Sequence, residues 1–236
     1  MIPIRDDAPR TTTPYVNYFL IAANTLVFFF EISLGPASRT DFFYQFALVP
    51  SHFTGFVHGR PQFGAVDGIL PIFSAMFLHG GWLHLIFNMW ALWIFGDNVE
   101  EVLGHTKYLL FYLVSGLGAA LLHIAFNLNS TVPTLGASGA IAGVMGAYFL
   151  MYPSARVLTL VPFFFLYLTW LPAWLFIGFW FIVQFLSGAA TVVPRGGRAA
   201  GGVAFWAHVG GFLTGVALIK LLPAQPRRYR FNDWKA

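Results

Sequence analysis

An all-α bundle of about six membrane-crossing helices is the fold class this sequence predicts, on three observations. First, 58% of the 236 residues are hydrophobic, 19% are aromatic and only 9% are charged, which does not describe a soluble domain. Second, apolar runs alternate with short polar stretches, and at roughly 20 apolar residues per helical span the chain has room for about six. Third, charge collects at the ends and in the turns, leaving residues 15–222 as one membrane domain between a polar segment, 1–14, and a basic tail, 223–236. Cysteine is absent, so disulfides, thiolate metal sites and a cysteine nucleophile are excluded.

Met1 to Pro14 holds Arg5, Asp6, Asp7 and Arg10 and no apolar core, so it does not read as a signal peptide. The first span is Tyr15 to Leu34, interrupted only by Asn17, Asn24 and Glu31. From Gly35 to Gly68 the chain mixes Arg39, Asp41, Arg60 and Asp67 with six phenylalanines, from Phe42 to Phe63. That is too polar to span and too aromatic for a free linker, and predicts a structured loop lying partly in the membrane interface. Span two, Ile69 to Phe95, carries His79, His84 and Asn88 inside LHGGWLHLIFNMW, and polar groups at such depth require partners.

The hydrophilic stretch Gly96 to Glu101 reads as a turn, and His105 beyond it as a solvated residue. Span three, Tyr108 to Phe126, contains His123, which like His79 is read as an interhelical hydrogen-bonding residue. Span four runs from Ser138 to Tyr152 after the loop Asn127 to Ala137. Span five, Val157 to Leu186, is long and expected to kink at Pro162 and Pro172. A glycine-rich loop, Gly188 to Gly202, leads to span six, Val203 to Leu222.

Six spans put both termini on one side. Only Arg39, Arg60, Arg195 and Arg198 fall on the other, so the termini are expected to be cytoplasmic. The formal charge of +4 and the basic tail suit contact with anionic lipid head groups, and nothing resembles a nucleic-acid platform. Compactness and the lack of a targeting segment suggest the bacterial plasma membrane.

The stretch GASGAIAGVMG, Gly136 to Gly146, admits two readings. Gly139 and Gly143 form a GxxxG packing face, and Ser138 is a hydroxyl at the mouth of an apolar helix. The topology makes these complementary. Ser138 and His208 lie at matching depth on spans four and six, both entered from the extracytoplasmic side, while His84 and Asn88, at i and i+4, share one face of span two. Gly139 and Gly143, with Ala207, Gly211 and Gly215, would let spans four and six approach closely enough for a Ser138–His208 hydrogen bond. Between Glu101 and Asp233 there is no Asp or Glu, so no carboxylate from spans three to six can orient His208. That leaves a dyad without an obvious third member. A pair of intramembrane aspartates and an H-E-x-x-H zinc site are also absent. Chemically, His208 would take the Ser138 proton, with His84, Asn88 and the Ser138 backbone N–H stabilising an oxyanion.

These residues resemble the rhomboid family of intramembrane serine proteases. The resemblance spans roughly Phe73 to Gly215. It rests on HGGWLHLIFNMW from His79, FGDNVEEVLG ending at Gly104, GASGAIAG from Gly136 and AHVGGFLTG from Ala207, in that order. It implies a six-helix rhomboid-like bundle with a short central fourth helix, nucleophile Ser138, base His208 and oxyanion donors His84 and Asn88. It also implies transmembrane protein substrates, no metal or cofactor, and gating by span five and the loop after it. In two respects the sequence departs from patterns that some members of the family carry. The first loop, 35–68, lacks the Trp of a Trp-Arg pair, and Ala142 replaces an aromatic four residues after the serine, so a ring bracing His208 is expected from Trp206 or Phe205. Two readings compete. One is a rhomboid-like protein that binds transmembrane clients without cutting them, against which stand both Ser138 and His208. The other is a metal or proton transporter using His79, His84, His123 and His208, against which stands the lack of carboxylates within spans two to six.

Overall fold

The computed structural model describes residues 1–163, 165–192 and 203–222. The expected tail, 223–236, and the loop residues 193–202 with Arg195 and Arg198 lie outside the described residues.

The first long helix, α1 (Tyr15–Ser33), buries Asn17, Leu20, Asn24, Phe28 and Glu31, spaced three and four apart. Its polar side chains therefore face inward while Phe19, Leu26, Phe29 and Phe30 are exposed, the reverse of a soluble helix. The first loop is structured, as expected, and mostly helical: α2 (Pro36–Phe46), α3 (Pro50–Val57), α4 (Ala65–Gly68), α5 (Leu70–Ser74) and a 3₁₀ turn at Ala75–Phe77. The chain then bends by 77° before α6 (Trp82–Leu103), so the run read as span two is broken near Phe77 and is not one straight helix.

Nor does α6 stop at Phe95. The stretch expected to be a turn stays helical because its polar side chains find partners on the N-terminal segment. The Glu100 carboxylate accepts the backbone N–H groups of Val16 (3.0 Å) and Asn17 (2.7 Å), donors that α1 cannot satisfy within itself. Arg10 pairs with Asp97 at 3.1 Å, and Asn98 donates to the Pro9 carbonyl at 3.2 Å. Gly104, at φ +76°, then breaks the chain into α7 (His105–Phe126).

The helix α8 (Ser138–Met151) is buried continuously from Gly139 to Tyr148, as expected of a central helix contacted on every side. After it comes the largest departure. The sequence from Arg156 forms a hairpin, β2 (Arg156–Phe163) and β3 (Phe165–Pro172), not the first half of span five. Its β-branched and aromatic composition favours strand, and each proline would interrupt a helix. An N-terminal strand, β1 (Ile2–Asp6), pairs antiparallel with β2, giving the order β1-β2-β3. The fifth long helix is consequently shorter than expected, α9 (Ala173–Val192), and α10 (Phe205–Leu221) closes the bundle.

The mostly helical architecture agrees with the expected membrane bundle. Among the described residues, Tyr15–Ser33, His105–Phe126 and Ala173–Thr191 are each long and apolar enough to cross a membrane. At 14 residues α8 is about 21 Å long, short of a full hydrocarbon core, and its burial inside protein removes the need to match one.

Candidate active site

Glycine sets how closely α8 and α10 approach. A Cβ on Gly211 would collide with the Gly139 carbonyl, and one on Gly215 with the Gly143 carbonyl. On the other side of α8, Gly139 and Gly143 press against Ala119 and Ser115 of α7. Backbone meets backbone along this seam, leaving no room for adjustment by side-chain rotation. At its upper end Ser138 Oγ lies 2.8 Å from His208 Nε2, as the sequence anticipated.

The other imidazole nitrogen has a partner that sequence reasoning missed. His208 Nδ1 is 2.8 Å from Gln184 Oε1, on α9. Gln184 is 8% exposed, an amide carried by a strongly apolar helix, and that mismatch was the available signal. The partner is a neutral amide, so the absence of Asp and Glu from spans three to six did not reveal it. The expected bracing ring also comes from elsewhere. Trp180, one turn before Gln184, has its ring 5.7 Å from the His208 ring, whereas Trp206 stacks on Phe126 at 3.7 Å.

His84 and Asn88 converge beside the chain segment leading into Ser138. Gly136, at φ +128°, donates its N–H to the Ala75 carbonyl at 2.8 Å and passes directly against both. A Cβ there would lie 2.6 Å from His84 Nε2 and 3.7 Å from Asn88 Nδ2, which makes glycine necessary at this position. His84 Nδ1 accepts the Gly80 N–H at 3.4 Å, the tautomer that leaves Nε2–H as a donor toward Gly136. Asn88 Nδ2 lies 3.0 Å from His79 Nε2 and, with two hydrogens, retains a second to donate. Ser138 opens α8, so its own N–H is among the first-turn donors that lack an intrahelical acceptor.

His79 and His123 both have hydrogen-bond partners, but each contact joins a helix to a loop and not two helices, because His79 lies in the segment before α6 and Thr134 in the loop before α8. His79 meets Asn88, and its backbone N–H donates to Glu31 at 3.1 Å; His123 Nε2 lies 2.9 Å from the Thr134 hydroxyl. His105 is not simply solvated: half exposed, it reaches the buried Glu100 at 2.5 Å.

A hydroxyl bonded to an imidazole nitrogen, with amide and imidazole donors close to the same helix N-terminus, can generate an alkoxide nucleophile and receive a developing oxyanion. A cavity of about 40 Å³ lined by Ser138, Ala75, Met76, Gly136 and Ala207 lies alongside.

A family model for the Rhomboid domain matches residues 67–225. The chain is 35% identical over 156 residues to RHOMBOID-like protein 6, mitochondrial, of Arabidopsis thaliana, covering 66% of this chain and 44% of that one. It is 30% identical over 155 residues to Rhomboid protein 1, mitochondrial, of Saccharomyces cerevisiae, covering 64% and 41%. It is 33% identical over 141 residues to Rhomboid protease GluP of Bacillus subtilis, covering 57% and 24%. In each case the match spans less than half of the relative's length.

Proposed function

The chain belongs to the rhomboid family of membrane proteins, and from that premise we propose that it is an intramembrane serine endopeptidase cleaving single-span transmembrane substrates. The observation that carries this reading is the 2.8 Å contact between Ser138 Oγ and His208 Nε2 in the bundle interior. Ser138 Oγ attacks the scissile carbonyl as His208 Nε2 takes its proton, and the imidazolium returns that proton to the leaving amine as the C–N bond breaks. Water then attacks the acyl-enzyme by the same route and regenerates Ser138. The oxyanion is received by His84 Nε2–H, the second Asn88 amide hydrogen and the Ser138 N–H, donors already held in place before the reaction. The small apolar cavity beside Ser138 suits a small side chain, such as alanine, next to the cleaved bond.

The proposed topology is six spans, α1 and α6 to α10, with both termini on the cytoplasmic side and basic residues against anionic lipid. The protein is an integral membrane protein. The mitochondrial names among its relatives give no support to the bacterial plasma membrane as its location.

The test is cleavage of a single-span substrate by purified protein in liposomes, with Ser138→Ala and a chelator as controls. Cutting that requires Ser138 and persists with chelator supports the protease reading. Folded protein that retains transmembrane clients but cuts none would replace it with the client-binding reading.

A further inference from the structure

We infer that Gln184 is the positioning residue of the site: its amide oxygen accepts the His208 Nδ1–H and so selects the tautomer in which Nε2 is free to take the Ser138 proton. The inference rests on the protease reading and goes beyond it by supplying the orienting group that the Ser-His pair otherwise lacks.

Neutral imidazole carries one proton on either of two nitrogens, and only the Nδ1–H form leaves Nε2 as an acceptor. With nothing at Nδ1 the two forms interconvert, and the Nε2–H form presents a donor to Ser138 and cannot deprotonate it. In the structure Nδ1 faces Gln184 Oε1 at 2.8 Å while Nε2 faces Ser138 Oγ at 2.8 Å. An amide oxygen accepts a hydrogen bond and never donates one, so this contact specifies the productive tautomer. Trp180 from the same helix lies beside the imidazole and limits its rotation about the Cβ–Cγ bond. A carboxylate would orient His208 equally well, but as a buried charge in an apolar helix it would be costly, and a neutral amide gives the same direction without that desolvation. The acceptor comes from α9 and not from α8 or α10, so correct tautomer selection requires α9 to be seated against the pair.

The decisive experiment compares wild type with Gln184→Met, which keeps length and loses the acceptor, and Gln184→Glu, which keeps an acceptor. Each is assayed for kcat and KM in liposomes, with folding checked by thermal unfolding in detergent. Gln184→Met is expected to lower kcat roughly 10- to 100-fold at unchanged KM, less than the about 10⁴-fold loss seen when a triad carboxylate is neutralised, and Gln184→Glu is expected to recover most of it. A Gln184→Met enzyme with wild-type kcat, or equal loss in both folded variants, would overturn the inference. Independently of how the variants fold, ¹⁵N-histidine spectra of the wild type should place the His208 proton on Nδ1, assigned by its disappearance in His208→Ala. A proton on Nε2 overturns the inference as well. Wild-type protein that cuts nothing yet shows the Nδ1–H form would instead count against the protease reading and leave the Gln184 contact standing.

Discussion

Two contacts that build the Ser138–His208 site differ in kind. The α8–α10 seam is made of glycines whose carbonyls and α-carbons touch, so it has one packing distance. Helix α9 instead meets the bundle through rings, Phe176 against Phe95 and Phe181 against Phe212, and leaves Trp174, Phe179, Ile182, Phe185 and Leu186 exposed. The hydroxyl and the imidazole are held by the rigid contact, and the orienting amide is delivered by the looser one. Reactivity is thus divided between a fixed pair and a partner whose alignment depends on a peripheral helix.

The largest expected effect comes from breaking the rigid side. Gly211→Val places a side chain into the Gly139 carbonyl, and both the thermal midpoint in detergent and proteolysis should collapse, because the seam has no rotamer with which to absorb it. By contrast Ile182→Ala on the exposed face of α9 should change stability by no more than about 0.5 kcal/mol. Equal sensitivity at the two positions would remove the distinction. Ser138→Ala should abolish cleavage with an unfolding midpoint close to wild type, separating chemistry from packing at one end of the seam.

A smaller loss is expected at the oxyanion donors. Asn88→Ala should slow kcat by about 10²- to 10³-fold, the typical consequence of removing one such donor. A fully active Asn88→Ala enzyme would remove Asn88 from the proposed hole. The smallest effect lies at the far end of α8, where the Tyr148 hydroxyl donates to Asp6 of β1 at 2.5 Å. Asp6 is pushed up from 3.8 to about 6, chiefly by burial, with the Tyr148 bond acting in the opposite direction. A carboxyl raised on folding favours the folded state when protonated, so its contribution is complete below about 4 and is lost as pH rises through about 6. Melting curves across that interval should show a slope in wild type that Asp6→Asn flattens. An unchanged slope would mean that the sheet contributes no titrating contact to the seam.

How far each feature was legible in the sequence follows from the range of the interaction behind it. The α1, α8 and α10 boundaries were readable within a few residues, because each is an apolar run ended by glycine, proline or a polar turn. Ser138, His208, His84 and Asn88 were readable as polar residues in apolar settings, for which membrane burial demands a reason. The extension of α6 through Asp97 to Glu101 was not, because a hydrophilic run looks like a turn until its partners at Arg10, Val16 and Asn17 are known. The hairpin was harder to read: Val157 to Trp170 is apolar enough for a span, and its β-branched residues and prolines were outweighed by that hydropathy until the pairing of β2 with β3 and with Ile2–Asp6 was known.

By itself the sequence determined the helical membrane class, the polar residues set within apolar runs and the small-residue faces that allow close contact, all properties of local composition and periodicity. Tertiary structure alone decided which nitrogen of His208 faces Ser138, which residue serves the other nitrogen and which ring lies beside it. Those outcomes depend on the relative placement of α8, α9 and α10, and the α9 amide and the imidazole it meets are 24 residues apart. No local pattern encodes that contact, because hydrogen bonding of this kind is specified by distance and direction in the folded bundle.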